Sequence, residues 1–400
     1  ETGEVVQNLS DSCLAPQPAR ALTIVYSNDV MGELEPCGCR HNPTGGLDRK
    51  ETFLARLKDK ELVQIDSGNL LFETTEVPEA LARQSELQAQ YLLRGYEQLK
   101  HDLVTPGLKD FALGATVFKR LIARTKTQFI SANLFDRKTG HRLLEPSLIL
   151  TRKDAKGVAL RLAFIGIASP GEDWARHGIE ARDPALIIQA ELSRLKGKYD
   201  RVFLLSQLGQ TEDEALAERL PVFDGIFGAR SQSLLQTPVQ IGKTFIYQAS
   251  FRNQYIGSVN LDTLVHQLTP LDPGFIPATE TPVKKLIGEF KAKIAKQNRT
   301  EVSLARAEKV PGDEIHQTFP RCAECHLKQF DFWRKTRHTL ALKSLIDSKQ
   351  SENKDCLRCH TVGLGEKGYP VGPPPGRRRM APRRPLRLPR ANARSPIPLD

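Results

Sequence analysis

The sequence of 400 residues is 40% hydrophobic and 26% charged, a composition typical of globular proteins, and its length predicts two or three domains of ~100–200 residues each. A mean hydropathy of −0.38 and the lack of any apolar run near ~18 residues exclude a transmembrane helix. The formal net charge of +11 would suit a nucleic-acid or anionic-surface partner, provided that the charge is spread along the chain.

Residues 20–280 alternate between strand-like and helix-like segments and follow a short N-terminal extension, residues 1–19. Apolar segments predict strands at 22–27, 62–66, 129–132, 160–167, 202–206, 222–227, 245–249 and 256–261. Helical spacing predicts helices at 46–58, 78–100, 184–196 and 213–220. Short apolar strands that end in polar loops, with helices between them, predict a layered α/β fold whose chemistry lies where the strands end.

The predicted strand ends carry six short motifs, which read SNDVMG, GGL, DSGN, PGLKDF, LSQLG and GARSQ from residue 27 to residue 232. In this order they resemble the T-N-D-x-H-G, G-G-L, D-A-G-D, L-G-N-H-E-F, L-S-H-x-G and G-G-H-S-H motifs of the secreted 5′-nucleotidase branch of the calcineurin-like metallophosphoesterases. The resemblance implies a four-layer α/β/β/α sandwich over residues 20–280.

The residues at the metal-binding positions of that family are mostly replaced in this sequence. The family binds two metals through seven side chains, and the corresponding residues here are Asp29, Met31, Asn69, Leu108, Gln207, Arg230 and Gln232. Only Asp29 is the expected residue, and Lys109 stands at the position of the catalytic histidine. Thioether, amide and aliphatic groups are poor ligands for the ions that such a hydrolase needs. We therefore interpret the domain as degenerate and non-hydrolytic, with no non-haem metal.

Two of the replacements introduce positive charge near the former metal positions. Lys109 and Arg230 are expected to form a salt bridge to Asp29, because a buried carboxylate needs a partner. The alternative is an anion pocket that binds phosphate or a nucleotide without cleaving it.

Three cysteines lie in the N-terminal part of the chain, and two of them, Cys37 and Cys39, follow the first predicted strand. The third is Cys13, and three is an odd number for an oxidising compartment. A disulfide from Cys13 to one of the pair and a metal or redox role for these thiols both remain open.

A predicted helical linker, residues 281–311, leads to a segment that contains two C-x-x-C-H motifs, residues 312–370. Two thiols one helical turn apart can add to the two vinyl groups of haem, and the histidine that follows faces the iron as an axial ligand. The attachment residues would be Cys322, Cys325, Cys356 and Cys359, and the proximal histidines would be His326 and His360. A zinc site with four cysteine ligands is the alternative, but it leaves both adjacent histidines unexplained. The sequence predicts two covalent haem c groups.

Four of the nine histidines fall in this segment, which is the number that two haems with two histidine ligands each require. The two that do not follow a C-x-x-C motif, His316 and His338, are the candidates for the distal ligands. The segment is similar to multihaem c-type cytochromes of the tetrahaem carrier type found in nitrifying bacteria. In that family the histidine of a W-x-x-T/S-x-H-x-x-A stretch is a distal ligand, and here that stretch runs from Trp333 to Ala341.

The positive charge is concentrated in the last thirty residues, 371–400. They contain eight arginines, no lysine, one acidic residue and eight prolines, so that residues 1–370 carry only +4. This composition predicts disorder. Arginine without lysine beside proline, alanine and glycine is what GC-rich DNA encodes in a wrong frame. We favour a non-native end over a basic arm, and we expect no nucleic-acid partner.

These observations predict an exported electron-transfer cytochrome with a nucleotidase-like scaffold or docking domain. Haem c is attached outside the cytoplasm, so we expect a periplasmic or other extracytoplasmic location, with the signal peptide already absent from the chain. The expected partner is a redox protein or another cytochrome. Two alternatives remain: an active phosphoesterase with a haem redox module, and a haem-dependent oxidoreductase that acts on a small nitrogen or sulfur compound.

Overall fold

The computed structural model describes residues 20–36, 43–307 and 323–360, and the chain divides into two compact units between Ile294 and Ala295. Several predicted features lie outside the described residues. They are the N-terminal extension, Cys13, Cys37, Cys39, His316, Cys322 and the tail 371–400.

The first sheet of the N-terminal unit is built around four parallel strands. These are β1 (Leu22–Ser27), β2 (Glu61–Asp66), β3 (Leu103–Val104) and β4 (Gln128–Phe129), and two antiparallel strands, β13 (Tyr255–Asn260) and β14 (His266–Pro270), extend the sheet beside β1. The order across the sheet is β14-β13-β1-β2-β3-β4. The parallel strands therefore deliver their carboxyl ends to one edge of the sheet.

The second sheet has a similar plan. Its parallel strands are β7 (Ala159–Ala168), β9 (Arg201–Gln207), β10 (Gly225–Gly228) and β12 (Thr244–Tyr247), and its antiparallel edges are β6 (Ser147–Lys153) and β11 (Val239–Ile241). The order is β11-β12-β10-β9-β7-β6. A separate two-stranded sheet pairs β5 (Leu134–Asp136) with β8 (Ile179–Ala181).

The two large sheets pack face to face through an aromatic core. The rings of Tyr26, Phe164, Phe203, Phe227 and Tyr247 lie between them, and the centroids of Tyr26 and Phe227 are 5.1 Å apart. On the outer side of the first sheet lie α1 (Leu47–Ala55), α2 (Glu79–Gln98) and α3 (Ala115–Ile122), and on the outer side of the second lie α4 (Pro184–Leu195) and α5 (Gln210–Arg219). The predicted four-layer α/β/β/α sandwich is confirmed.

The division between the units falls within a single long helix, α6 (Pro282–Ala307). Its first turns present Val283, Leu286, Ile287, Phe290 and Ile294 to the core of the N-terminal unit. This spacing of three and four residues is the pattern by which an amphipathic helix buries one face.

The C-terminal unit is helical over the residues described. It contains α7 (Leu327–Trp333), a 3-10 turn (Arg337–Leu340), α8 (Ala341–Asp347) and α9 (Lys354–His360). No helix among the described residues of either unit has the length and apolar character needed to cross a membrane.

Candidate functional site

The carboxyl ends of the parallel strands bring the predicted site residues of the N-terminal unit together. Asp29 follows β1, Asn69 follows β2, and Lys109 lies in the 3-10 turn Leu108–Phe111 that follows β3. From the second sheet, Gln207 ends β9 and Arg230 follows β10. The sheet edges thus assemble side chains that are up to about two hundred positions apart in sequence.

Asp29 is fully buried, and both of its carboxylate oxygens accept hydrogen bonds from N–H groups. Asn69 Nδ2 donates to Oδ1 at 2.8 Å, while Asn28 Nδ2 and the backbone N–H of Arg230 donate to Oδ2 at 3.0 and 2.8 Å. Burial raises the pKa of Asp29, and the hydrogen bonds from Asn69, Asn28 and Arg230 oppose that rise. The carboxylate is therefore held by neutral amide donors.

This arrangement does not fit the two metal ions that the sequence resemblance implies. The amides point their N–H groups at the oxygens that a cation would need, and an N–H donor and a metal ion compete for the same lone pairs. The thioether of Met31 and the aliphatic Leu108 offer no hard donor to such ions. Among the described residues, no group of three or more His, Cys, Asp or Glu side chains could hold a metal.

The expected salt bridge from Lys109 or Arg230 to Asp29 is absent, and this prediction is wrong. No carboxylate of the described residues lies within 4.0 Å of a side-chain nitrogen of either cation. The ammonium of Lys109 instead lies 3.5 Å from Met31 Sδ, and Arg230 Nη1 donates to the carbonyl oxygen of Leu208 at 2.9 Å. Because amides already satisfy Asp29, its oxygens need no cationic partner.

The backbone around Asp29 adopts left-handed conformations at non-glycine residues. The φ angles are 50° at Asp29, 56° at Met31, 49° at Asn69, 72° at Arg230 and 56° at Gln232. Such conformations are uncommon for residues other than glycine, asparagine and aspartate, and at functional sites they cost on the order of 1–3 kcal/mol each. The loops that carry the sequence motifs therefore hold several residues in energetically unfavourable backbone conformations.

Gln207 and Asn69 pack tightly against a glycine of the neighbouring loop. A Cβ atom added at Gly107 would clash with Asn69 Oδ1 and Gln207 Oε1, so the ends of these side chains would have to shift to admit any larger residue. Gln207 also donates through Nε2 to the carbonyl oxygen of Ser67. By contrast, Gln232 is exposed and does not line the cavity between the site loops, which Asn69, Lys109 and Arg230 line.

Below these loops lies a buried polar network that the sequence reasoning missed. Lys50 Nζ donates to Ser27 Oγ at 2.9 Å, and Ser27 Oγ and Tyr96 Oη donate to Asp66 Oδ2 at 2.5 and 2.9 Å. Burial raises the pKa of Asp66 to about 6 and lowers that of Lys50 to about 8. Asp66 lies inside the quoted DSGN motif, which could have identified it, whereas nothing in the spacing around Lys50 marks that residue.

A second buried carboxylate ties two site loops together. Asp110 accepts hydrogen bonds from the backbone N–H groups of Leu71 and Gly107 at 2.7 and 2.8 Å. Burial raises its pKa to about 7. The loop after β2 and the loop after β3 are thus joined through one side chain.

In the C-terminal unit, helix α9 carries the second C-x-x-C-H motif. Cys356 and Cys359 are three positions apart on this helix, which places them one turn apart. His360 Nδ1 lies 2.8 Å from the carbonyl oxygen of Ala341, and since a carbonyl can only accept, Nδ1 is the protonated nitrogen. The lone pair of the neutral ring is therefore on Nε2, as an axial iron ligand requires.

Large apolar side chains are exposed in the C-terminal unit, several of them directly after the first motif. Leu327 is 62% exposed and Phe332 is 75% exposed, and Trp333, Leu340 and Ile346 are also accessible. Cys325, His326 and His338 lie exposed in the same unit, and neither Cys325 nor Cys356 is in a disulfide. Haem is a large apolar ring, so exposed apolar side chains beside thiols and imidazoles fit a covalently held haem.

Comparison with known proteins matches the two parts of the chain to different groups of proteins. The family model described as cytochrome c554 and c-prime matches residues 321–374. Cytochrome c-554 of Nitrosomonas europaea is 28% identical over 81 residues, which cover 16% of this chain and 34% of that protein. A 5′-nucleotidase of Vibrio parahaemolyticus is 25% identical over 300 residues, which cover 64% of this chain and 50% of that protein. The chain joins a 5′-nucleotidase-like domain to a cytochrome c554-like segment.

Solved structures show the same fold for the 5′-nucleotidase-like domain. A 5′-nucleotidase precursor of Thermus thermophilus superposes with a TM-score of 0.56 at 21% identity, covering 68% of this chain and 59% of that one. The sulfate thiohydrolase SoxB of the same organism gives a TM-score of 0.59 at 18% identity, covering 69% and 61%. The chain spans about a third to a half of the length of the curated relatives it matches, so their activities do not transfer with the fold.

Proposed function

We propose that the chain is an extracytoplasmic multihaem c-type cytochrome that transfers electrons, and that its 5′-nucleotidase-like domain is a non-hydrolytic scaffold or docking module. The observation that carries the proposal is the pair of C-x-x-C-H motifs within the cytochrome c554-like segment. Haem c supplies an iron that cycles between two oxidation states. The surrounding residues hold the group and adjust its potential.

The residues of the cytochrome c554-like segment would divide the work of holding two haems. The four thiols form the covalent attachments, and two imidazoles supply the proximal ligands, each from the residue after its C-x-x-C pair. The attachment residues are Cys322, Cys325, Cys356 and Cys359, with His326 and His360 as proximal ligands. His338 and His316 are the proposed distal ligands.

The contacts of Asp29 support the absence of hydrolase activity. A two-metal phosphoesterase needs ions that activate water and neutralise phosphoryl charge. Here the carboxylate accepts hydrogen bonds from Asn69, Asn28 and the Arg230 backbone, and the histidine ligands of the resembled motifs are replaced by Met31, Gln207 and other residues. The residues present therefore lack the ligands that would hold ions for either task.

The proposed location and partner follow from the haem chemistry. Covalent attachment of haem c takes place outside the cytoplasm, which makes the periplasm or another extracytoplasmic compartment the proposed location. An electron-transfer protein exchanges electrons with another redox protein, and we propose a cytochrome or similar carrier as that partner.

Spectroelectrochemistry of the haem-loaded protein, followed by phosphatase assays, tests the proposal. We expect reversible oxidation and reduction, a reduced spectrum that carbon monoxide does not change, and no phosphatase turnover with added Mn²⁺ or Zn²⁺. A carbon monoxide adduct would indicate an open iron position and favour the oxidoreductase alternative. Stoichiometric Zn, Mn or Fe beyond the haem iron, together with phosphatase turnover, would favour an active phosphoesterase.

A further inference from the structure

A cavity of about 250 Å³ opens between the site loops of the 5′-nucleotidase-like domain. Lys109 and Arg230 bring two positive charges to its wall, and Asn69, Gln207 and Trp174 also line it. It lies at the carboxyl ends of the parallel strands, where open α/β sheets bind ligands. The cavity therefore combines a sheltered space with cationic donors.

Neither cation forms a direct ion pair with a carboxylate of the described residues, although Asp29, Glu73 and Asp110 act on the Lys109 ammonium from longer range. Their side-chain nitrogens have no carboxylate of the described residues within 4.0 Å, and the Lys109 ammonium lies beside the weakly accepting thioether of Met31. Asp173 also lines the cavity, but it forms an ion pair with Arg176. Asp29 is occupied by the three N–H donors described above.

Keeping this charge unpaired is costly for the fold. Lys109 is partly buried, and burial lowers its pKa because removal from water disfavours the charged form. The more distant carboxylates of Asp29, Glu73 and Asp110 oppose that fall but do not cancel it. An anion in the cavity would offset that cost and accept hydrogen bonds from the ammonium and the guanidinium. A structural role alone would be served equally well by a direct salt bridge, and the structure does not form one.

We propose that this cavity binds a small inorganic oxyanion, of the tetrahedral phosphate or sulfate type, through Lys109 and Arg230 and without a metal ion. The inference rests on the proposed loss of metal ions from the site. Pockets that enclose drug-sized ligands usually measure about 300–1,000 Å³, so this cavity suits an inorganic ion better than a nucleotide. Positive side chains take the place that metal ions hold in two-metal phosphoesterases, and the ligand is held without being cleaved.

Calorimetric titration of the EDTA-treated, haem-loaded full chain with inorganic phosphate and with sulfate tests this site. We expect saturable binding that weakens as sodium chloride is raised, because free ions screen charges at a partly exposed site. Lys109→Gln and Arg230→Gln should each weaken binding about tenfold or more, since a hydrogen bond to a charged group contributes roughly 1.5–3 kcal/mol. Lys243→Gln is the matched control, because Lys243 is exposed and does not line the cavity. Comparing the two anions identifies which charge and shape the cavity prefers.

Two outcomes would overturn the inference, and they differ in what else they affect. If neither anion binds the metal-free protein, or if the Lys109 and Arg230 variants bind as well as the Lys243 control, the anion site is wrong and the proposed electron transfer is untouched. If phosphate binds only after Mn²⁺ or Zn²⁺ is added, the anion site and the proposed loss of metals both fail.

Discussion

At the residue scale, individual hydrogen bonds around Asp29 limit the chemistry available to the 5′-nucleotidase-like domain. Asn69 donates to Asp29 through Nδ2 and accepts from the backbone N–H of Lys109 through Oδ1 at 3.3 Å. A carboxylate at this position could accept but could not donate. The amide therefore allows Asp29 to stay buried without a cation in direct contact.

Replacing Asn69 with aspartate tests this account. Asn69→Asp removes a donor and places a second carboxylate against Asp29, so we expect a loss of roughly 1–3 kcal/mol in the free energy of unfolding at pH 7. The loss should be smaller at pH 5, where one proton can be shared. Asn260→Asp is the matched control, because the Asn260 side chain accepts from the backbone N–H groups of Asp262 and Thr263. Equal stability of the two variants in urea unfolding would show that Asn69 does not act as a donor.

A buried carboxyl outside the site gives the domain a predictable dependence on pH. Asp213 is fully buried in α5 and accepts from Ser206 Oγ, and burial raises its pKa to about 8. A raised carboxyl pKa means that the folded state holds the proton longer than the unfolded state. The contribution to stability is therefore full below pH ~4 and is lost as the pH rises toward about 8.

Asp213→Asn should remove this part of the pH dependence. Between pH 5 and pH 8, the free energy of unfolding of the wild type should fall relative to that of the variant by up to about 1.4 kcal/mol per pH unit. Asp59→Asn, at an exposed position, serves as the control and should follow the wild type. Parallel curves for wild type and Asp213→Asn in urea titrations would contradict the prediction.

At the scale of elements, the tight loops of the site contrast with the open surface of the long helix. Gly107 has no room for a Cβ atom beside Asn69 and Gln207, whereas Gly288 in α6 is exposed with nothing within 4 Å of an added Cβ. The same substitution should therefore have opposite effects at the two positions.

Gly107→Ala should destabilise the domain by about 1–3 kcal/mol, because overpacking forces neighbouring groups to shift. Gly288→Ala should stabilise the chain by up to about 1 kcal/mol through its better helix propensity. Melting temperatures measured by calorimetry report both effects. A neutral Gly107→Ala variant would mean that the loops after β2 and β3 are looser than the contacts indicate.

The segment between the two C-x-x-C-H motifs contains two residues that we connect with the iron ligands. It contains His338, the proposed distal ligand, and three residues later Ala341, whose carbonyl oxygen accepts from His360 Nδ1. Ser344 Oγ also lies 3.4 Å from His360 Nδ1. The segment thus contains a proposed ligand and the carbonyl that orients a second proposed ligand.

His338→Ala should open one iron to external ligands. We expect the reduced variant to form a carbon monoxide adduct that the wild type does not form, since the sixth position would lose its imidazole. His141→Ala is the control, because His141 is exposed in the N-terminal unit. If carbon monoxide leaves the spectrum of His338→Ala unchanged, His338 is not an axial ligand.

Sequence patterns predicted the central strands well and the edges poorly. Strands such as β1 and β7 are buried on both sides over much of their length and read as continuous apolar runs. The edge strands β6 and β14 are half exposed and mix polar with apolar residues, so no strong pattern marked them. The two-residue strand β3 is too short to show any period.

At the site as well, the local sequence predicted the positions of residues but not their side-chain contacts. The motifs correctly brought Asp29, Asn69 and Lys109 to one sheet edge, because each follows a strand. They could not reveal which donor satisfies Asp29, since that depends on side-chain directions in three loops. The predicted salt bridge failed for this reason.

At the scale of the whole molecule, the net charge of +11 no longer indicates a nucleic-acid or anionic-surface partner. Residues 371–400 carry +7 of it, so that residues 1–370 carry only +4. The residues that decide the proposed function are the cysteines and histidines of the cytochrome c554-like segment. The proposed function therefore depends most on whether haem is bound there.

Counting covalent haems is the measurement that tests this most directly. Intact-mass spectrometry and a pyridine haemochrome assay would be applied to protein exported to the periplasm with the cytochrome c maturation machinery. We predict two haems on the wild type, and one each after replacing Cys322 and Cys325, or Cys356 and Cys359, with alanine. A wild-type chain that carries no haem, or one that binds zinc through these cysteines instead, would contradict the account.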